Sequence, residues 1–295
     1  MLPTFPNKIH FISGLPRSGS TLLAALLRQN PRFYASMTSP VGGLVERMLA
    51  AMSEENEFSV FISTEQKRAL TLSIFAAYYQ SQLAQDVIFD TNRLWCSKLS
   101  LISELFPEAK VICCVRNIAW IMDSIECLIH RNPFDISHLF NSPTERATVY
   151  SRTEALGLGG RLVGFAYNAL KEAFYSEKSS RLLLVDYEVL TQWPEKTMTL
   201  IYQFIGEDAF EHDFDHVQYD EPEFDKKLKT DGLHKVREKV EFKPRQTILP
   251  PDLFQQFNHL NFWTDPSNSQ ANVIIAKPKL KEVKTSLHSE ASQLF

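Results

Sequence analysis

The chain has 295 residues and a formal net charge of −4, with 44% hydrophobic residues. That length buries a full core as one large domain or two small ones, and the slight acidity excludes a global basic field of the kind that holds nucleic acid, so any anion site has to be local. No apolar run reaches the length of a membrane span, and the start around Lys8 lacks the apolar stretch and small-residue cleavage site of a signal peptide.

In chain order, Ile9–Ser13 reads as a short buried strand, followed by the loop Gly14-Leu15-Pro16-Arg17-Ser18-Gly19 and a helix over Leu22–Gln29 that Asn30-Pro31 stops. Val41–Ser53 and Thr64–Leu83 read as amphipathic helices, Val87–Phe89 as a strand, and Ser97–Leu105 as a helix ended before Pro107. Lys110–Val115 is a second near-continuous apolar strand, and Ile118–His130 the helix after it. Residues 132–160 break the pattern with Asn132-Pro133, Ser142-Pro143 and Gly157, Gly159 and Gly160, which reads as an insertion or lid. Helix Arg161–Glu177, strand Arg181–Asp186 and helix Pro194–Ile205 follow, the last stopped by Gly206. Residues 207–231 are acidic and aromatic without a clear period, and 265–295 form a polar tail with little to bury, within which Asn272–Ala276 has the pattern of an edge strand. Alternating strands and helices predict an α/β chain: a P-loop-type three-layer fold over 1–264, with a central, mainly parallel sheet and helical insertions. Cys96, Cys113, Cys114 and Cys127 have no metal-ligand spacing and read as reduced, buried thiols, which suits a cytoplasmic setting.

Three constellations carry chemistry. The spacing Gly14-x4-Gly19-Ser20-Thr21 is that of a phosphate cradle, in which loop amides and a helix N-terminus point at an anion. Ser20 stands where nucleotide triphosphatases carry a lysine, which argues against ATP or GTP hydrolysis; the cation is Arg17, inside the loop. Second, the strand Lys110–Val115 delivers Arg116 to its C-terminal edge, where open α/β sheets bind ligands, and Ser124 follows about two turns into the next helix. A guanidinium beside a hydroxyl suits a phosphomonoester. Third, His234-Lys235-Val236-Arg237, with Lys239 and Arg245 beyond, is a late basic segment.

The first two constellations together resemble the sulfotransferase superfamily. Its first signature, a strand and a P-R-S-G-type loop for the 5′-phosphosulfate, has the counterpart Pro16-Arg17-Ser18-Gly19-Ser20-Thr21; its second, an apolar strand ending in Arg with Ser eight residues on, has Arg116 and Ser124. Leu184–Leu190 resembles the family's strand ending in a tyrosine near the adenosine, here Tyr187. The likeness leans towards bacterial members related to the protein-tyrosine sulfotransferase branch. It implies 3′-phosphoadenosine 5′-phosphosulfate (PAPS) as donor and 3′,5′-adenosine bisphosphate (PAP) as product. Arg17, Ser18, Gly19, Ser20 and Thr21 would hold the phosphosulfate and Arg116 and Ser124 the 3′-phosphate, while Lys235 and Arg237 would close over the donor. Two separated anionic groups need two separated receptors, and with only Asp90 and Asp186 near a Walker B position a metal-free displacement is expected.

The tyrosyl branch's glutamate base has no counterpart in Phe33–Pro40, nor has the cytosolic branch's Lys-x-His in Phe89–Trp95. Asp90 is the expected base and Arg93 the accompanying cation, with Glu46, Glu126 and His130 as other candidates. Phe134, Phe140, Tyr150, Phe165 and Tyr167 cluster near the expected lid, where they would line an acceptor pocket; the helical spacing of Phe165 and Tyr167 reads instead as core. The resemblance implies a hydroxyl or amine acceptor, and a small molecule, a peptide and a glycan are all compatible with the sequence. A P-loop small-molecule kinase and a catalytically silent PAP- or PAPS-binding protein are the rival readings.

Overall fold

Six short runs pair in parallel: β1 (Lys8–Gly14), β2 (Phe33–Ala35), β3 (Val87–Thr91), β4 (Val111–Val115), β5 (Leu182–Asp186) and β6 (Asn272–Ile274). They form one sheet in the order β2-β3-β1-β4-β5-β6. The computed structural model describes residues 7–54, 56–134, 138–219, 222–227 and 234–276. The rest of the polar tail, from 277, lies outside the described residues.

Helices are α1 (Ser20–Leu27), α2 (Val41–Ala51), α3 (Thr64–Tyr78), α4 (Leu99–Leu105), α5 (Ile118–Arg131), α6 (Pro143–Arg146), α7 (Val149–Gly157), α8 (Leu162–Phe174), α9 (Tyr187–Gln192), α10 (Pro194–Ile205), α11 (Pro222–Lys227) and α12 (Pro251–Asn258). Successive strand side chains point to opposite faces, and two clusters result. Phe11, Ile88, Val111, Cys113, Val115 and Leu184 pack on the side of α3, α4, α5 and α8. Ile12, Val87, Phe89, Ile112, Cys114 and Val185 pack on the side of α1, α9 and α10. Burial on both faces explains the near-continuous apolar strands, and the three-layer expectation holds. Phe165 and Tyr167 pack against the first cluster, as their spacing predicts.

The elements differ from expectation where local pattern is weakest. Three residues are too few to show a period, so β2 is defined by its pairing with β3, Phe33 opposite Val87, rather than by its own sequence. The helix expected over Thr64–Leu83 ends at Tyr78, because Tyr79 leaves helical geometry at φ −93°, ψ 14° and turns a fully buried ring inward. The expected break at 132–160 contains α6 and α7, each opened by a hydroxyl cap, Ser142 and Thr148. Arg152 binds Glu126 through both carboxylate oxygens and so fastens α7 to α5. The sheet also takes in Asn272–Ile274 as the edge strand that the pattern suggests.

The topology creates a crevice. The chain leaves β1 through α1 on one face and β3 through α4 on the other, and at such a switch point the C-terminal strand ends splay open. The loop after β1 enters that crevice through Gly14, at φ 102°. A Cβ there would stand 2.3 Å from the Cys114 carbonyl oxygen, so β1 and β4 approach too closely for any side chain. Gly14→Ala is expected to lower unfolding free energy by about 2 kcal/mol or more in urea titrations; parental stability would show that the loop has another route.

Candidate functional site

The loop between β1 and α1 carries three residues with positive φ. Gly14 and Gly19 have φ 102° and 95°, and Arg17, at φ 59°, is the one non-glycine residue with positive φ among the described residues. Such a residue persists only where its surroundings over-determine it, and successive amides in this pattern form an anion-binding concavity at the start of α1. Ser18 holds the loop down: its hydroxyl donates to the carbonyls of Leu15 and, at 2.8 Å, of Cys114 in β4. Ser20 and Thr21 open α1 and are half-buried.

The second signature meets the first. Arg17 Nε donates to Ser124 Oγ on α5 at 3.2 Å, and Arg116, one residue past β4, lies 4.5 Å above the ring of Tyr187. Tyr187 also packs on the loop, where a Cβ on Gly19 would meet its Cδ2 at 2.8 Å. Asp186 caps α9 by accepting from the amides of Glu188 (2.8 Å) and Val189 (3.3 Å), which places that ring. Gly19, Tyr187 and Arg116 thus form one stack, and Arg17, Arg116, Ser124 and Tyr187 share one wall of the crevice.

The electrostatics are those of two like charges held close together. Burial and the charge of Arg116 lower the proton affinity of Arg17; burial, with Arg245 adding to it, lowers that of Arg116. Both stay charged at ordinary pH, so the lowering measures desolvation and mutual repulsion. Arg116 Nε is buried and meets no hydrogen-bond partner among the described residues. An anion with several acceptor oxygens fits this arrangement, since it would satisfy that donor and offset both charges. Among the described residues no group of three or more His, Cys, Asp or Glu side chains is placed to hold a metal ion, and no helix is long and apolar enough to cross a membrane.

Arg245 enters through a residue that sequence inspection passed over. Asp123, fully buried on α5, takes an ion pair from Arg245 and accepts from Thr247 Oγ1 and the Ile248 amide, both at 2.7 Å. Arg245 lies 5.0 Å over the Trp120 ring and is held beside Arg116. A lone acid among Ile121, Met122 and Ile125 was the available signal, because a buried carboxylate demands partners. Lys235 and Arg237 are exposed, whereas Val236 between them packs on the second core cluster.

The expected bases have other occupations. Asp90 is fully buried and accepts from three donors: Ser39 Oγ at 2.9 and 2.8 Å, Tyr79 OH at 2.6 Å and Trp95 Nε1 at 2.7 Å. Burial pushes its carboxyl above the ordinary range, and these bonds pull it back. That geometry frames the end of β3 and leaves Asp90 little capacity to take a substrate's proton. Arg93 opens the 3-10 turn Arg93–Lys98; its side chain reaches solvent, yet desolvation lowers its proton affinity. Glu126 is filled by Arg152 and by His130 at 3.0 Å, and Glu46 pairs with Lys98 at 2.6 Å. Of the expected pocket aromatics, Phe140 is buried, whereas Phe134 and Tyr150 are exposed.

The model of the sulfotransferase family matches residues 10–212. Similar solved structures include a sulfotransferase domain from the olefin synthase of Synechococcus PCC 7002 (20% identity, covering 90% of this chain and 98% of that one, TM-score 0.48). A sulfotransferase domain from the curacin biosynthetic pathway is 14% identical, with coverages of 88% and 92% and a TM-score of 0.49. A sulfotransferase from Alicyclobacillus acidocaldarius is 14% identical, with coverages of 76% and 90% and a TM-score of 0.49. None of the curated proteins matches the chain significantly.

Replacing the filled carboxylate tests its framing role. Asp90→Asn sets an NH2 against hydrogen-bond donors and is expected to lose roughly 1–3 kcal/mol in chemical denaturation; an unchanged midpoint would show that the oxygens are not needed there.

Proposed function

The chain belongs to the sulfotransferase family, and from that premise we propose that it moves a sulfuryl group from PAPS to a hydroxyl or amine acceptor. The observation that carries this reading is the shared wall of Arg17, Ser124, Arg116 and Tyr187, with the buried Arg116 Nε still lacking an acceptor. One contiguous cradle suffices for a simple phosphate; an arginine in the loop and a second arginine one strand away suit a nucleotide with phosphates at two positions.

In this reading the amides of 17–21, with the Ser18, Ser20 and Thr21 side chains near them, hold the 5′-phosphosulfate. Arg116 and Ser124 receive the 3′-phosphate, and Tyr187 keeps Arg116 in place while lying near the adenosine. Arg245, tethered to Asp123, adds charge on that side. Lys235 and Arg237 face outward, so their closure over the donor requires the segment to turn. The bound donor supplies an electrophilic sulfur and a phosphate leaving group. Arg17 and the loop amides offset the negative charge that grows on the leaving oxygen, and they are already oriented before reaction, which is where such stabilisation is most effective. Ser20 in the lysine position removes the contact that a nucleoside triphosphate's terminal phosphates would use.

Thermal and chemical denaturation with PAP test the donor site. PAP at a hundred times its dissociation constant is expected to add about 2.7 kcal/mol of stability, and Arg116→Ala to abolish the gain. An equal gain in that variant, or none in the parent chain, would overturn the assignment.

A further inference from the structure

A buried acid and a histidine stand together outside the two donor signatures. Asp225 on α11 is 2% exposed. Its Oδ1 stands 2.6 Å from His234 Nδ1, and its Oδ2 accepts the His234 backbone N–H at 2.9 Å. Two contacts to one residue set the position of the ring as well as its tautomer: a neutral imidazole that donates from Nδ1 to a carboxylate carries its lone pair on Nε2. His234 also lies on the inward side of its segment. The chain alternates from there, Lys235 and Arg237 outward and Val236 inward.

Charge reports what surrounds this pair. The guanidinium groups of Arg17, in the loop after β1, and Arg93, after β3, both act on His234, and the carboxylate of Asp225 acts in turn on Arg17. The histidine–aspartate pair and the phosphate loop therefore occupy one neighbourhood, although more than two hundred residues separate them in sequence. The carboxylates nearer the signatures are already occupied: Asp90 by Ser39, Tyr79 and Trp95, and Glu126 by Arg152.

We propose that His234 is the general base of the transfer and that Asp225 is its positioning residue; this rests on the sulfotransferase reading above. The acceptor hydroxyl or amine gives its proton to His234 Nε2. Its freed electron pair forms the new bond to sulfur, and the bond between sulfur and the bridging phosphate oxygen breaks with its pair going to that oxygen, so PAP leaves with the added negative charge. The imidazolium formed is stabilised by Asp225 and later releases its proton to water.

The surrounding charges adjust the base to this task. Burial, Arg17 and Arg93 hold the His234 imidazole below its ordinary value, against the upward pull of Asp225, so the ring is neutral and able to accept at neutral pH. A donor whose anionic groups cover Arg17 cancels part of that lowering. Proton affinity at His234 then rises when the donor binds, which couples base strength to occupancy of the loop.

His234→Asn keeps a donor where Nδ1 stood and removes the base; Asp225→Asn removes the positioning charge. With PAPS and a pool of peptides and metabolites, read by mass spectrometry for sulfonated products, His234→Asn is expected to transfer at least about 10²-fold more slowly than the parent, with PAP affinity unchanged. Asp225→Asn is expected to lower kcat and to move the acid limb of the pH profile downward, because the carboxylate that raised the histidine's pKa is gone. Histidine NMR gives a readout independent of acceptor: PAP should raise the His234 pKa in the parent chain, and Asp225→Asn should lower it. Transfer by His234→Asn at the parental rate, or a His234 resonance unmoved by saturating PAP, would overturn the base assignment alone. A parent chain that does not bind PAP would overturn the donor reading beneath it.

Discussion

Positive charge crowded at the C-terminal edge of β1 and β4 is the constraint on which the rest of the site depends. Arg17 and Arg116 are desolvated, repel one another, and sit in a chain whose net charge is −4. Gathering desolvated guanidinium groups opposes folding even with the carboxylates of Asp225 and Asp123 acting on them, so the fold has to hold them by force of geometry. It does so through a loop with three positive φ values, a serine hydroxyl bonded to two carbonyls, and an aromatic ring pressed between Gly19 and Arg116. A bound polyanion would reverse the sign of this interaction, and the proposed donor recognition rests on that reversal.

Four buried or half-buried acids build the frame around that charge. Asp90 ties β3 to the segment before α2 through Ser39, and to the aromatic core through Tyr79 and Trp95. Asp123 fixes Arg245 and the chain at 247–248 onto α5. Asp186, with its pKa pushed up to about 6 mainly by burial, starts α9 and so sets Tyr187. Asp225 fixes His234. Each acid accepts from two or more donors, as buried carboxylates must. Of the four, Asp225 alone fixes an imidazole able to accept a proton, and the other three hold parts of the wall.

Much of the scaffold was legible before any coordinates, for reasons that follow from burial. β1, β3, β4 and β5 are buried on both faces and announce themselves as apolar runs, and Pro194 and Gly206 mark the ends of α10. The two arginines were legible because glycine spacing and a strand end fix them locally. What escaped was non-local. β2 exists by pairing with β3. Asp123 and Arg245 meet across 122 residues of chain, and no periodicity records that contact. The late basic segment was assigned through its charges, yet its alternation, with His234 and Val236 inward, is what orients it. Asp90 drew attention by standing at a strand end; only the surrounding Ser39, Tyr79 and Trp95 reveal that its oxygens are already filled.

A co-crystal structure with PAP is the most direct test of the central claim that one groove joins two arginine receptors. The expected density places the 5′-phosphate among the amides of the loop with Arg17, the 3′-phosphate on Arg116 Nε and Ser124, and the ribose between them beside Tyr187. A nucleotide that contacts only one of the two arginines, or that binds elsewhere on the surface, would contradict it.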